Sequence, residues 1–241
     1  MRARVFGAAL LLMTAVCGGA AAQEPVWQRF EVERNSFSKK VTFQPVDGSR
    51  KMVMKYKGIP VAWGSAIQLL VDPDVYEKQS HRVRYRFRHP LSERRMVLLA
   101  RAKSHRVGPV PIRSEDTLPV VELFADDEES PRGTLRYDDH ARVLFAGQIE
   151  ERRIEIERVS EDTPPDAGVL KYLLFPYPVS GTFVIRVDGR EAARFNQWPQ
   201  HGVTSPYDLE LDAGADPVTR EDAMLAFVVF DLMKDFVNSA G

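Results

Sequence analysis

Apolar and polar residues alternate with period two along most of the chain. The clearest segment is 81–88, in which Val83, Tyr85 and Phe87 alternate with arginines. Alternation of this kind is typical of strands that bury one face and expose the other. The same pattern predicts further strands at 37–44, 52–56, 66–71, 96–102, 120–125, 142–146, 152–158, 170–175, 182–187, 191–195 and 207–211.

Short turn-forming sequences separate these segments. Asp188-Gly189 lies between the strands 182–187 and 191–195, and it tolerates the positive φ values of a type I′ turn, so it predicts a hairpin. The stretch 163–168 is rich in proline and glycine, and its length predicts a long loop rather than a domain boundary. About eleven or twelve short strands at this spacing indicate one mainly-β domain of the barrel or sandwich type.

The last element differs from all the others. Residues 223–230 are apolar without a break, and 219–237 is predicted to form a helix. Its start has two candidate caps, which are Asp216-Pro217 and the capping box 219–222. A helix that is apolar on every side is enclosed by other parts of the protein, and this run is too short to span a membrane. The sequence therefore predicts an antiparallel, closed or nearly closed β-barrel of about eleven or twelve strands around a buried hydrophobic C-terminal helix.

Residues 1–22 have the organisation of a cleavable secretory signal. Arg2 and Arg4 precede an apolar stretch over 5–16, and three alanines at 20–22 provide the small residues expected at a cleavage site. The alternative is a permanent membrane anchor, but the apolar stretch has about 12 residues, against the ~20 that span a bilayer. Cleavage would leave 23–241 as a single mainly-β domain that is periplasmic or secreted.

Cys17 is the one cysteine of the chain. It lies at the end of the apolar stretch, where a bacterial lipoprotein signal carries its lipidated cysteine, so lipidation is an alternative to simple export. Thr14 and Val16 depart from the residues that such a site requires. If Cys17 is removed with the signal, the exported chain has no disulfide, no thiolate nucleophile and no cysteine-ligated metal.

The overall charge is close to zero, but its distribution is uneven. A formal net charge of −1 argues against a dedicated nucleic-acid-binding protein. Guanidinium groups at alternate strand positions, ~6.6–7 Å apart, can bind phosphate or carboxylate groups bidentately. The segment 81–88 therefore predicts an anion-binding surface for an anionic lipid or an acidic envelope protein. Its four residues, here called the Arg stripe, are Arg82, Arg84, Arg86 and Arg88.

The alternative interpretation of the Arg stripe is an ordinary solvated strand face. In that case carboxylates on neighbouring strands would pair with the arginines. The candidate partners are Glu150, Glu151, Glu155 and Glu157.

No motif in the sequence predicts a metal or a cofactor. The acidic clusters at 126–129, 138–140 and 212–216 lack the Asp-x-Asp-x-Asp-Gly spacing that brings calcium ligands together. The last of these clusters is explained by a turn and the start of the helix. No two histidines have the spacing of a zinc site.

Local catalytic motifs are likewise missing from the sequence. It contains neither a Gly-x-Ser-x-Gly elbow nor a glycine-rich phosphate loop. A catalytic site would have to assemble from distant residues, for example His201 with Ser205 and Asp208. The three tryptophans are expected to pack in the core or at the barrel mouth: Trp27, Trp63 and Trp198.

The second half of the chain resembles the tubby C-terminal-like superfamily, which includes tubby proteins, phospholipid scramblases and LURP-one-related proteins. The resemblance covers about residues 118–237, and the segments that carry it are 145–150, 189–195, 207–211 and 223–231. It implies a many-stranded antiparallel barrel closed around a hydrophobic C-terminal helix. Known members are largely cytoplasmic or membrane-associated, whereas this chain has a predicted export signal. A shared fold does not transfer a function, so only the fold is expected from the resemblance.

Three hypotheses of function follow from the sequence. The first is an exported, non-enzymatic envelope protein that binds an anionic lipid or an acidic partner through the Arg stripe. The second is a structural or assembly factor that acts by protein–protein interaction. The third is a hydrolase whose site is built from residues distant in sequence.

Overall fold

In the computed structural model, twelve antiparallel strands form a closed barrel, and a separate two-stranded sheet lies outside it. This confirms the predicted mainly-β fold class and the number of strands. The structure describes residues 26–35, 37–58, 81–102, 106–107, 110–111, 119–125, 128–138, 141–161, 181–198 and 204–240. The predicted strands at 66–71 and 170–175 and the predicted signal lie outside these residues.

The strands follow one another around the barrel mostly as hairpin neighbours. The order is β1-β14-β13-β12-β11-β10-β9-β8-β5-β4-β3-β2, with β2 pairing back onto β1. Strands β6 and β7 pair with each other in the two-stranded sheet. The bounds are β1 (Trp27–Asn35), β2 (Lys40–Pro45), β3 (Met52–Lys57), β4 (His81–Arg88), β5 (Arg95–Ala102), β6 (Arg106–Val107), β7 (Val110–Pro111), β8 (Val120–Ala125), β9 (Gly133–Tyr137), β10 (Val143–Ile149), β11 (Arg152–Glu161), β12 (Gly181–Val187), β13 (Arg190–Gln197) and β14 (Thr204–Asp212).

Side chains at alternate positions of the strands point into the barrel and form its core. In β4, Val83, Tyr85 and Phe87 are buried, as the alternating pattern predicts, and the strand has the predicted bounds. Strand β8 also begins and ends at the predicted residues. The sequence analysis does not predict β1 and β9, which both belong to the barrel.

The predicted hairpin at Asp188-Gly189 is confirmed. Strands β12 and β13 pair antiparallel on either side of it. Both turn residues have positive φ, 52° for Asp188 and 79° for Gly189, as a type I′ turn requires. Asp188 also accepts a hydrogen bond from the backbone N–H of Arg153, which ties this turn to β11.

The C-terminal helix α1 (Pro217–Ala240) is enclosed by the barrel over three turns. Every residue from Ala223 to Met233 is at most 5% exposed, so no face of this segment meets solvent. Asp216 caps the helix, because its carboxylate accepts hydrogen bonds from the backbone N–H groups of Val218 and Thr219. Among the described residues, no helix has both the length and the apolar character that crossing a bilayer requires.

Aromatic rings fix the helix against strands on several sides. The Phe227 ring lies 5.1 Å from that of Phe195 in β13 and 6.0 Å from that of Phe43 in β2, measured between centroids. The Phe230 ring lies 4.9 Å from that of Phe183 in β12 and also contacts Phe145 in β10. Contacts with strands so far apart in the barrel order are possible only for a helix on the barrel axis.

A buried ion pair connects α1 to β1. Arg34 and Asp231 are both 1% exposed, and Arg34 Nη1 lies 3.6 Å from Asp231 Oδ1. Arg34 also donates to the backbone oxygen of Asp231 at 2.6 Å and to the Tyr56 hydroxyl at 3.1 Å. Tyr207 donates to Asp231 Oδ1 at 2.6 Å. The core therefore contains one charged, hydrogen-bonded cluster among its apolar side chains.

Candidate functional site

The Arg stripe lies on the outer wall of the barrel. Arg84, Arg86 and Arg88 are exposed and alternate with the buried side chains of β4. Arg82 belongs to the same strand, where it is paired in register with Arg101 of β5. The predicted shared face is thus present for the three arginines whose side chains are described.

Positive charge extends from the stripe onto the strands beside it. The outward positions of β3 carry Lys55 and Lys57, β2 adds Lys40, and Arg95 begins β5. We call the combined surface the basic face and define it by seven residues: Lys40, Lys55, Lys57, Arg84, Arg86, Arg88 and Arg95. The four residues outside β4 are absent from the predicted site. Their alternation with buried residues is visible in the sequence, but their place beside β4 depends on strand order.

The strand register places like charges directly opposite one another across the basic face. Lys40 is paired with Lys55, Lys57 with Arg86, and Arg88 with Arg95. Like charges at such positions destabilise a sheet, by roughly 0.2–1 kcal/mol for each pair. The register therefore places these cations where they repel one another, and a bound anion would reduce that repulsion.

No carboxylate lies among the described outward positions of the strands β2 to β5. The neighbouring outward side chains are uncharged, as Thr42, Val53 and Leu99 are. Within the described part of the chain, Arg84, Arg86 and Arg88 form no ion pair. Among the described residues, the nearest acidic side chains lie at the border of the basic face. They are Glu31 and Glu33 in β1, Glu93 in the β4–β5 turn and Glu122 in β8, and Glu122 is already bound to Arg101 of β5.

The carboxylates proposed as partners of the Arg stripe lie elsewhere. Glu155 and Glu157 are in β11, which β5, β8, β9 and β10 separate from β4, and Glu150 and Glu151 form the turn before β11. Their pairing with the Arg stripe is therefore excluded by strand order. Three of them have partners nearby: Glu150 binds Arg132, Glu155 binds Arg153, and Glu157 binds both Arg142 and Arg186.

The acidic cluster at 212–216 has the structural role that the sequence predicts. Asp212 accepts a hydrogen bond from the Gly214 N–H and pairs with Arg190, while Asp216 caps α1. Residues 126–127 and 139–140 of the other two clusters lie outside the described part of the chain. Among the residues that the structure describes, no group of three or more histidine, cysteine, aspartate or glutamate side chains could hold a metal ion.

His89 is a structural residue of the core. It is 3% exposed, its Nε2 donates to the Glu221 carbonyl at 3.0 Å, and its Nδ1 accepts from the N–H groups of Leu91 and Ser92. Burial lowers the pKa of this imidazole, so the ring is neutral and joins the β4–β5 turn to the start of α1. His201 of the hypothetical triad lies outside the described residues.

Two open grooves on the barrel wall are lined by side chains that pair with each other. A groove of about 440 Å³ lies along β1, β14 and β13, where Glu210 binds both Arg29 and Arg194. A second, of about 660 Å³, lies where Arg132 binds Glu150. None of the described residues that line the two grooves is a histidine. Each groove therefore contains at least one ion pair, whereas Arg84, Arg86 and Arg88 form none within the described part of the chain.

The tryptophans differ from one another in their surroundings. Trp27 packs beneath the guanidinium of Arg194, whose central carbon lies 4.5 Å from the ring centroid. Trp198 is 48% exposed after the end of β13, and its Nε1 donates to Asp208 at 2.9 Å. Trp27 is half-buried on the outward face of β1 rather than in the core. Trp198 is about half exposed, and Trp63 lies outside the described residues.

Asp222 lies at the buried start of α1. Its carboxylate is 3.6 Å from Arg152 Nη1, and the residue is 8% exposed. Burial, assisted by the nearby Glu150 and Glu221, raises the pKa of Asp222 to about 7, against an opposing effect of Arg152. The folded state therefore retains a proton on this group that the unfolded chain releases above its usual pKa of 3.8.

This difference predicts a pH-dependent effect of the substitution Asp222→Asn. Because the folded protein binds more protons than the unfolded chain, the contribution of Asp222 to stability falls as pH rises from about 4 to about 7. The amide should raise the free energy of unfolding by on the order of 2 kcal/mol at about pH 8 and change it little at about pH 4. Urea denaturation at both pH values measures this. Burial lowers the pKa of His89, so the contribution of His89 to stability falls as pH drops below its usual pKa of 6.5. Because His89 is present in both the variant and the parent, this effect cancels in the comparison. An equal difference between variant and parent at the two pH values would contradict the prediction.

No protein-family model matches the chain, and searches of curated proteins and of solved structures give no match either.

Proposed function

We propose that this protein is an exported, non-enzymatic envelope protein that binds an anionic lipid surface through the basic face. The observation that carries the proposal is the register that places like charges opposite one another across β2 to β5, on a protein whose net charge is −1. Within the described part of the chain, Arg84, Arg86 and Arg88 of this set form no ion pair. Export is inferred from the signal-like residues 1–22. The closed barrel around a C-terminal helix supports a second part of the proposal, which is membership of the tubby C-terminal-like superfamily.

The chemistry of the basic face suits phosphate groups. Arginine presents a planar fork of donors that can bind two oxygens of one phosphate, and it remains charged at any physiological pH. Arg84, Arg86 and Arg88 repeat along one strand at ~6.6–7 Å, a spacing that allows neighbouring headgroups to be bound at the same time. Lysines on β2 and β3 add attraction that does not depend on exact geometry.

The double substitution Arg84→Gln and Arg86→Gln tests the proposal. Each basic residue close to an anionic bilayer contributes about 1 kcal/mol, so the pair should lower vesicle affinity by roughly 25-fold. The experiment is co-sedimentation of residues 23–241, which contain all the described strands and the helix, with phosphatidylglycerol-containing vesicles. Salt at about 50 and about 300 mM tests the electrostatic origin, because screening should weaken the parent more than the variant.

A matched control carries Arg142→Gln and Arg153→Gln. These arginines are exposed and lie on the other side of the barrel. Their substitution removes the same net charge as that of Arg84 and Arg86. The control should bind vesicles nearly as the parent does. Unchanged binding by the Arg84/Arg86 variant, or equal losses in the two variants, would contradict a specific role of the basic face. Binding to soluble polyglutamate but not to vesicles would indicate an acidic protein partner instead.

A further inference from the structure

The turn between β1 and β2 exposes an aromatic side chain to solvent. Phe37 is 89% exposed, the highest value among the large apolar side chains of the described residues. Single exposed apolar residues are common on proteins, so exposure alone assigns no role to Phe37. Its position beside the basic face is what distinguishes it.

Hydrogen bonds hold the backbone that carries Phe37. The Asn35 side chain accepts from the N–H of Ser38 at 2.8 Å, and the carbonyl of Lys39 accepts from the N–H of Tyr56 at 3.1 Å. Lys39 has a φ of 50° and donates from Nζ to the carbonyl of Gly58 at 2.7 Å. The turn is thus attached to the end of β3 through Lys39, two residues after Phe37.

Phe37 borders the basic face. The turn leads directly into Lys40, and Lys40 is paired with Lys55 of the next strand. Lys57 ends β3 at the same end of the barrel and is paired with Arg86. An exposed phenylalanine and a row of like-charged side chains therefore lie side by side at one end of the barrel.

We infer that Phe37 inserts into the interfacial layer of an anionic bilayer while the adjacent part of the basic face binds the headgroups. The inference rests on the proposed function and adds to it an orientation, with the β1–β2 turn toward the membrane. The occupant is a bilayer because it offers both required parts in one surface, a negative layer and an apolar layer directly beneath it. Val53, which is 42% exposed and outward on β3, adds apolar surface within the basic face.

Site-specific labelling tests the orientation. Residues 23–241 contain no cysteine, so Phe37→Cys can carry a single environment-sensitive fluorophore. The label should shift to the blue and brighten on phosphatidylglycerol-containing vesicles, and lipids with nitroxide-labelled chains should quench it. The matched control is Val46→Cys, which is 61% exposed in the β2–β3 turn at the other end of the barrel and should show no change. In the unlabelled protein, Phe37→Ser should weaken vesicle binding roughly tenfold without changing the melting temperature.

The outcomes separate this inference from the proposed function. If the parent binds vesicles but Phe37→Ser binds equally well and the label at position 37 does not respond, the orientation is wrong and the basic face remains the binding surface. Equal responses at positions 37 and 46 would indicate non-specific adsorption and would also overturn the inference. If the parent does not bind anionic vesicles at all, the proposed function fails and the inference fails with it.

Discussion

Substitution of Phe227 by aspartate is expected to abolish folding. Phe227 is fully buried in α1, and its ring contacts Phe43, Phe195 and Tyr207 from three strands. Removal of a buried phenylalanine costs about 3–5 kcal/mol. An unpaired carboxylate in the same place adds several kcal/mol more, so the total is comparable to the ~5–15 kcal/mol that stabilises a typical domain. Circular dichroism should show no cooperative thermal transition.

The control for this prediction lies on the same helix. Val218→Asp adds the same charge to the first turn of α1, where the residue is 47% exposed. A carboxylate at a helix N-terminus interacts favourably with the helix dipole, so this variant should melt within a few degrees of the parent. If Phe227→Asp also melted like the parent, α1 would not be enclosed by the barrel in solution.

Most strands are predictable from the sequence because a barrel wall imposes period-two burial. Strand β4 is an example, since its inward side chains are all apolar and its outward ones are arginines. Strand β1 is not predicted, because a charged residue interrupts its pattern of apolar inward positions. Arg34 occupies one of these positions beside Phe30 and Val32. Strand β9 has only five residues and begins at a glycine, too short for its alternation to stand out.

The candidate site is only partly predictable, because charge on a sheet depends on which strands are neighbours. The sequence shows that Arg84 and Arg86 share one face of a strand. It does not show that β3 lies beside them, since the segment 58–80 separates the two strands in the chain. Strand order is what excludes β11 as the source of neutralising carboxylates and places Lys57 opposite Arg86.

The position of the helix in the barrel is also beyond the sequence pattern. A segment that is apolar on every side has no preferred face, so apolar packing alone specifies its rotation and depth only weakly. Hydrogen bonds are directional and can specify both. Two hydrogen bonds therefore determine the rotation and depth of α1 in the barrel. Arg34 donates to the carbonyl of Asp231, and Tyr207 donates to its carboxylate.

Breaking this buried cluster from one side should be more harmful than removing both charges. Arg34→Met leaves the carboxylate of Asp231 buried without a cation, and Asp231→Leu leaves the guanidinium of Arg34 without its carboxylate. Loss of one member of a buried ion pair typically costs 3–5 kcal/mol. The double variant retains no orphan charge, so its loss should be smaller than the sum of the single losses by at least about 2 kcal/mol. Chemical denaturation of the four proteins measures this coupling directly.

Tyr207→Phe provides the matched reference for the cycle. It deletes one hydrogen bond to Asp231 while Arg34 keeps its pairing, and it should cost about 1.5–3 kcal/mol. Tyr56 and Tyr207 would each lose a partner in the double variant, which is why that variant should remain below the parent in stability. Additive losses in the cycle, within about 0.5 kcal/mol, would mean that the two charges do not stabilise each other. In that case the position of α1 would have to come from the packing of Phe227 and Phe230 and from the polar contacts at its start, such as the His89–Glu221 hydrogen bond.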